Sequence, residues 1–164
     1  MLKIFSNPPP LRFLFSHPAH LVACGFGAGL SPFMPGSVGS ALALLSYPLL
    51  RASMDDTTLF AFLFACFVAG IPIVQKTARD YGKGDPGCIV WDEIVPFWLV
   101  LVFCPPTWLW RGAAFVLFRL FDIFKPQPAR FFDEKVQNGF GVMTDDLVAA
   151  LYTLLVLYVF RFFQ

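Results

Sequence analysis

Thr57-Thr58-Leu59-Phe60-Ala61-Phe62-Leu63-Phe64-Ala65-Cys66-Phe67-Val68-Ala69-Gly70-Ile71-Pro72-Ile73-Val74-Gln75 is an uncharged run of nineteen residues. As a helix it reaches about 30 Å, the thickness of a bilayer's hydrocarbon core. A second run, 147–163, is nearly as long and as apolar. Shorter apolar stretches occupy 38–50, 89–104 and 108–124, and prolines or ionisable residues sit in or beside them. Such segments suit half-spans or tilted spans packed against neighbours. Pro105-Pro106 predicts a tight turn that makes the third and fourth stretches antiparallel neighbours. The expected fold is therefore all-α: an integral membrane bundle of about four to five short or tilted helices, with a Gly/Pro-rich re-entrant loop ahead of it.

Composition points the same way. Of 164 residues, 57% are hydrophobic, 21 are Phe and only 14% are charged, where a soluble domain carries about one quarter. Mean hydropathy is +0.67. A chain this short makes one domain, 1–164, and cannot bury so much apolar surface in a single core. The net charge of +1 offers no basic face for nucleic acid. Cys24, Cys66, Cys88 and Cys104 form no CxxC pair or zinc spacing and read as buried reduced thiols. Residues 1–16 form an N-terminal tail, and Pro8-Pro9-Pro10 breaks the apolar core that a signal peptide would need.

Suppose the N-terminus is cytoplasmic and each stretch crosses once. Lys3, Arg12, Lys76, Arg79, Lys83, Arg119, Lys125, Arg130 and Lys135 then lie inside, against Arg51, Arg111 and Arg161 outside. That is the positive-inside bias. The same assignment, made without the acids, puts all of them inside except Asp55 and Asp56.

Four tracts carry the chemistry, and the topology brings all four to one face. Residues 25–40 (GFGAGLSPFMPGSVGS) offer backbone N–H groups and the Ser31, Ser37 and Ser40 hydroxyls to a phosphate; the other reading is a helix-packing surface. The tract lacks both GxGxxG and a Walker lysine. Asp92 and Glu93 sit between apolar runs, where a charge is costly and paired carboxylates favour an intervening cation. A helix N-terminus attracting acids is the alternative. Arg119, Asp122 and Lys125, three apart, share a helix face. They suit a carboxylate on a metal with cations on phosphoryl oxygens, or else a salt-bridge ladder. Asp145 and Asp146 open the last stretch; Thr144 or Asp145 as an N-cap explains one acid and leaves the second.

Asp92, Glu93, Asp122, Asp145 and Asp146 together form a hard oxygen donor set of the kind Mg²⁺ prefers. With only His17 and His20 in the chain, a His/Cys zinc site is disfavoured. The Cys-x5-Arg, Asp-x-Asp and SGH phosphatase frameworks are all missing. What remains is attack by a metal-activated water, with one of Asp92, Glu93, Asp122 and Asp146 taking its proton. Arg119 and Lys125, helped by Ser31, Ser37 and Arg130, would bind the phosphate. The rival reading is a small transporter or channel with an acidic inner-face cation site.

In this order, GFGAGLSP…PGSVGS (25–40), IVWDE (89–93), FRLFDIFKP (118–126) and GVMTDD (141–146) resemble the phosphatidylglycerophosphatase A family over a core of 17–150. Pro96, Gln127 and Asn138 depart from its pattern. The resemblance implies a Mg²⁺-dependent enzyme of the bacterial inner membrane, with its site facing the cytoplasm. Such an enzyme hydrolyses phosphatidylglycerol phosphate to phosphatidylglycerol and inorganic phosphate.

Overall fold

The computed structural model describes residues 8–82 and 86–162. The readings that involve 1–7 (including Lys3), 83–85 (including Lys83) and 163–164 lie outside these residues. Two short helices, α1 (Leu11–Leu14) and α2 (Pro18–Ala23), lead into a 3-10 segment, Gly25–Leu30. Then come α3 (Pro35–Ser53), α4 (Asp56–Tyr81), α5 (Trp91–Phe103), α6 (Trp108–Phe124), α7 (Ala129–Lys135) and α8 (Gly139–Phe162). Among the described residues there is no β-strand element. All five apolar stretches are helices, as expected, and α1, α2 and α7 are additional.

Local chemistry sets the ends of these helices. The Asp55 carboxylate accepts from Thr58 N at 2.9 Å to start α4, and Gly82 in the left-handed region (φ 78°) ends it. The Asn138 side chain accepts from Gly141 N at 3.0 Å and opens α8. This moves the start of α8 about two turns ahead of 147. Thr144 donates back to Phe140 O at 2.6 Å inside the helix, so neither Thr144 nor Asp145 is the cap.

The bundle is organised around α5, whose residues are mostly buried. Trp98 Nε1 donates to Ala43 O in α3 at 3.1 Å, and Trp91 Nε1 donates to Cys66 O in α4 at 3.3 Å. Phe97 packs on Phe115 and Phe118 of α6, with ring centroids 5.9 and 5.1 Å apart. Glu93, nearer the start of α5, meets Arg119, nearer the end of α6. These pairings run in opposite directions along the two helices, which makes them antiparallel across the Pro105-Pro106 turn.

Both α4 and α8 are long and apolar enough to cross a bilayer. Phe64 in α4, Leu109 in α6 and Leu155 in α8 are 71%, 82% and 59% exposed. A water-soluble protein rarely leaves so many large apolar side chains bare on neighbouring helices. Pro48, Pro72 and Pro96 interrupt the N–H ladders of α3, α4 and α5, as packed membrane helices tolerate. Cys24, Cys66, Cys88 and Cys104 are in no disulfide, with Cys66 half-buried and the others buried.

Candidate active site

The starts of α3, α5 and α8 and the end of α6 meet at one end of the bundle and enclose a cavity of about 900 Å³. Pro35 and Gly36 of the first tract line it, with Asp92, Glu93, Arg119, Asp122, Lys125, Asp145 and Asp146 from the other three. The four tracts therefore share one site.

Asp92 and Glu93 lie in the first turn of α5, a position that the helix dipole favours for acids. The dipole does not account for what Glu93 meets. Glu93, Asp122 and Asp146, from three different helices, each offer an oxygen, and the three oxygens lie within 4.8 Å of one another. Asp146 is 3% exposed. Arg119 Nη1 bridges two of these acids, at 3.0 Å to Glu93 Oε1 and 2.9 Å to Asp122 Oδ2. Its Nε is buried and makes no hydrogen bond to a described residue. Asp92, also buried, lines the same cavity. Asp145 sits apart from this trio: it pairs with Lys125, and its Oδ1 accepts from Asp146 N at 2.9 Å.

Lys125 is not on the α6 face. It is the residue after the helix, held in the left-handed region (φ 43°), and from there its ammonium reaches both α7 and α8. It contacts Asp133 Oδ1 at 2.9 Å as well as Asp145. Burial alone favours the neutral amine, but Asp146 and Asp145 outweigh it and hold the lysine pKa above its usual range. Lys125 is a fixed cation.

Arg130 lies in α7 on the cavity rim, 62% exposed, with its Nε 2.7 Å from Glu134. Ser31 and Ser37 do not line the cavity; Ser31 Oγ donates to Phe33 O at 2.7 Å. Asp133, Glu134 and Gln137 line the cavity although no tract contains them. In the sequence Asp133 and Glu134 are marked only by falling on the inner side with the other acids, and nothing singles out Gln137. His20 does not line this cavity: its Nε2 lies 2.8 Å from Asp80 Oδ2, tying α2 to the end of α4.

Three clustered carboxylate oxygens fit a hard divalent cation. They are the donor type that Mg²⁺ uses, and among the described residues Arg119, paired with two of them, and the nearby Lys125 offset part of their mutual repulsion. Buried carboxylates so close together are otherwise costly.

A family profile described as phosphatidylglycerophosphatase A matches residues 21–161. A Haemophilus influenzae protein named phosphatidylglycerophosphatase A is 42% identical over 159 residues, covering 96% of this chain and 98% of its own. An Escherichia coli protein of the same name is 41% identical over 149 residues, 90% of this chain and 86% of its own. A Bacteroides thetaiotaomicron protein is 39% identical over 148 residues, 86% of this chain and 92% of its own; its name carries phosphatidylinositol-3-phosphatase as a provisional assignment. No solved structure matches. The matched span contains all four tracts and every acid of the cavity, and the chain accordingly belongs to the phosphatidylglycerophosphatase A family and is a phosphatase.

Proposed function

We propose that this protein is a single-domain, Mg²⁺-dependent membrane phosphatase that hydrolyses phosphatidylglycerol phosphate to phosphatidylglycerol and inorganic phosphate. The observation that carries the reading is the oxygen trio of Glu93, Asp122 and Asp146 beside two cations, at one end of an apolar bundle. The substrate follows the names of two relatives that share about two fifths of their residues with it. Membership in a phosphatase family sets aside the transporter or channel alternative.

Glu93, Asp122 and Asp146 would hold the ion, with Asp92 and Asp145 as outer partners. Mg²⁺ bound there would neutralise phosphoryl charge and make a nearby water more acidic. Arg119 and Lys125 orient and stabilise the phosphoryl oxygens as charge builds on them. An acid of the cluster accepts the proton from the attacking water. The lipid tails stay in the bilayer while the headgroup enters the cavity, so no extraction is needed. Positive-inside bias supports a cytoplasmic site in the bacterial inner membrane.

The test is phosphate release from phosphatidylglycerol phosphate by purified protein, with and without EDTA. Activity should fall to background in EDTA and return with added Mg²⁺. Full activity in EDTA would sink the metal reading, and no release under any condition would sink the substrate.

A further inference from the structure

The cavity, about 900 Å³, is far larger than a phosphoryl group, and its acid trio serves only the buried end. Three basic side chains line it among the described residues, and they stand at two depths. Arg119 and Lys125 are 14% and 25% exposed and are held by acids of α5, α6 and α8. Arg130 is on the rim, 62% exposed, in an i,i+4 pair with Glu134.

We propose that Arg130 reads the phosphodiester that joins the headgroup to diacylglycerol, and so sets a preference for diester-bearing over simple phosphomonoesters. This rests on the lipid-phosphatase reading above. That substrate carries two phosphates, a terminal monoester and a bridging diester, separated by a glycerol. The monoester must lie against the buried acids, so the glycerol and the diester trail toward the rim, where Arg130 stands. The guanidinium fork matches the two free oxygens of a diester. An exposed i,i+4 pair is weak and screened, so Glu134 yields Arg130 readily, whereas Arg119 and Lys125 are bound by buried carboxylates. Phe124, which lines the cavity and is 76% exposed, gives an apolar shoulder to the first acyl carbons.

The experiment compares three substrates in wild type, Arg130→Gln and Glu134→Gln. They are phosphatidylglycerol phosphate in mixed micelles, its deacylated headgroup (monoester and diester, no chains) and glycerol 3-phosphate (monoester alone). In Arg130→Gln, KM for the first two should rise about tenfold, with the loss on KM and not kcat, and the preference over glycerol 3-phosphate should collapse. Glu134→Gln should lower KM for both diester-bearing substrates. An equal loss on glycerol 3-phosphate would overturn the proposal, because Arg130 would then act on the reacting phosphate. Loss on micelles alone would also overturn it, assigning Arg130 to attraction toward an anionic surface. Glycerophosphoglycerol, with a diester and no monoester, separates this from the catalytic reading. Titrated calorimetrically, it should bind wild type and lose about tenfold in Arg130→Gln even if no substrate is turned over. Absence of that difference would refute the role of Arg130 whatever the activity.

Discussion

Asp146→Asn is expected to lower kcat for phosphate release by more than about 100-fold, the upper range seen for residues that only support metal ligands. Asp146 is buried at 3% exposure inside α8, with its carboxylate in the trio formed with Glu93 and Asp122. Two unit charges at such distances repel by roughly 3–4 kcal/mol at an effective dielectric constant of 20, and Arg119 offsets part of this. The amide removes one charge from that cluster. In EDTA the variant should therefore unfold at the same temperature as the parent or higher. Added Mg²⁺ should reverse the order, because an ion bound only by the native state stabilises it by about 2.7 kcal/mol at a hundredfold excess over Kd. Thermal melts in detergent with EDTA and with Mg²⁺, run beside the phosphate assay, check all of this. A variant that melts lower in EDTA, yet gains as much from Mg²⁺ as the parent, would make Asp146 a structural partner and not a ligand.

The same residue shows what could be read from sequence. A second acid after Asp145 was hard to explain as capping, and in the fold neither acid caps anything, because Asn138 starts α8. The co-location of Gly36, Glu93, Asp122 and Asp146 was legible because alternating helices return the chain to the same end of the bundle, and the apolar runs fixed that alternation. Several things were not legible. Lys125 looked like a third residue on the face of Arg119 and Asp122, but a left-handed cap swings it toward α7 and α8. A seven-residue helix such as α7 is too short to give a periodic signal, so Asp133 and Glu134 were placed on the inner side but not in the cavity lining, and Gln137 was not singled out. Ser31 and Ser37 were attractive as hydroxyls beside glycines, yet Gly29, Gly36 and Gly39 serve close packing and neither serine lines the cavity.

Gly36→Ala is expected to cost on the order of 100-fold in kcat/KM, the scale of a misplacement of about 1 Å at a reacting centre, while the protein melts close to the parent. A Cβ on Gly36 would fall on the Glu93 carboxylate, the far end of a flexible side chain. The carboxylate can swing aside, so the fold survives, but in doing so it leaves Asp122, Asp146 and Arg119. Gly141 makes the contrast. A Cβ there would meet the backbone carbonyl of Val136, which has no rotamer to adopt, so Gly141→Ala should destabilise by about 1–3 kcal/mol and melt visibly lower. A shorter acid relieves the first clash. Combining Gly36→Ala with Glu93→Asp should therefore cost clearly less than the product of the two single losses, and this non-additivity is the signature of direct contact. Activities that simply multiply would separate Gly36 from Glu93. A Gly36→Ala protein that melts as low as Gly141→Ala would show that the close approach of α3 to α5 serves the fold and not the acid cluster.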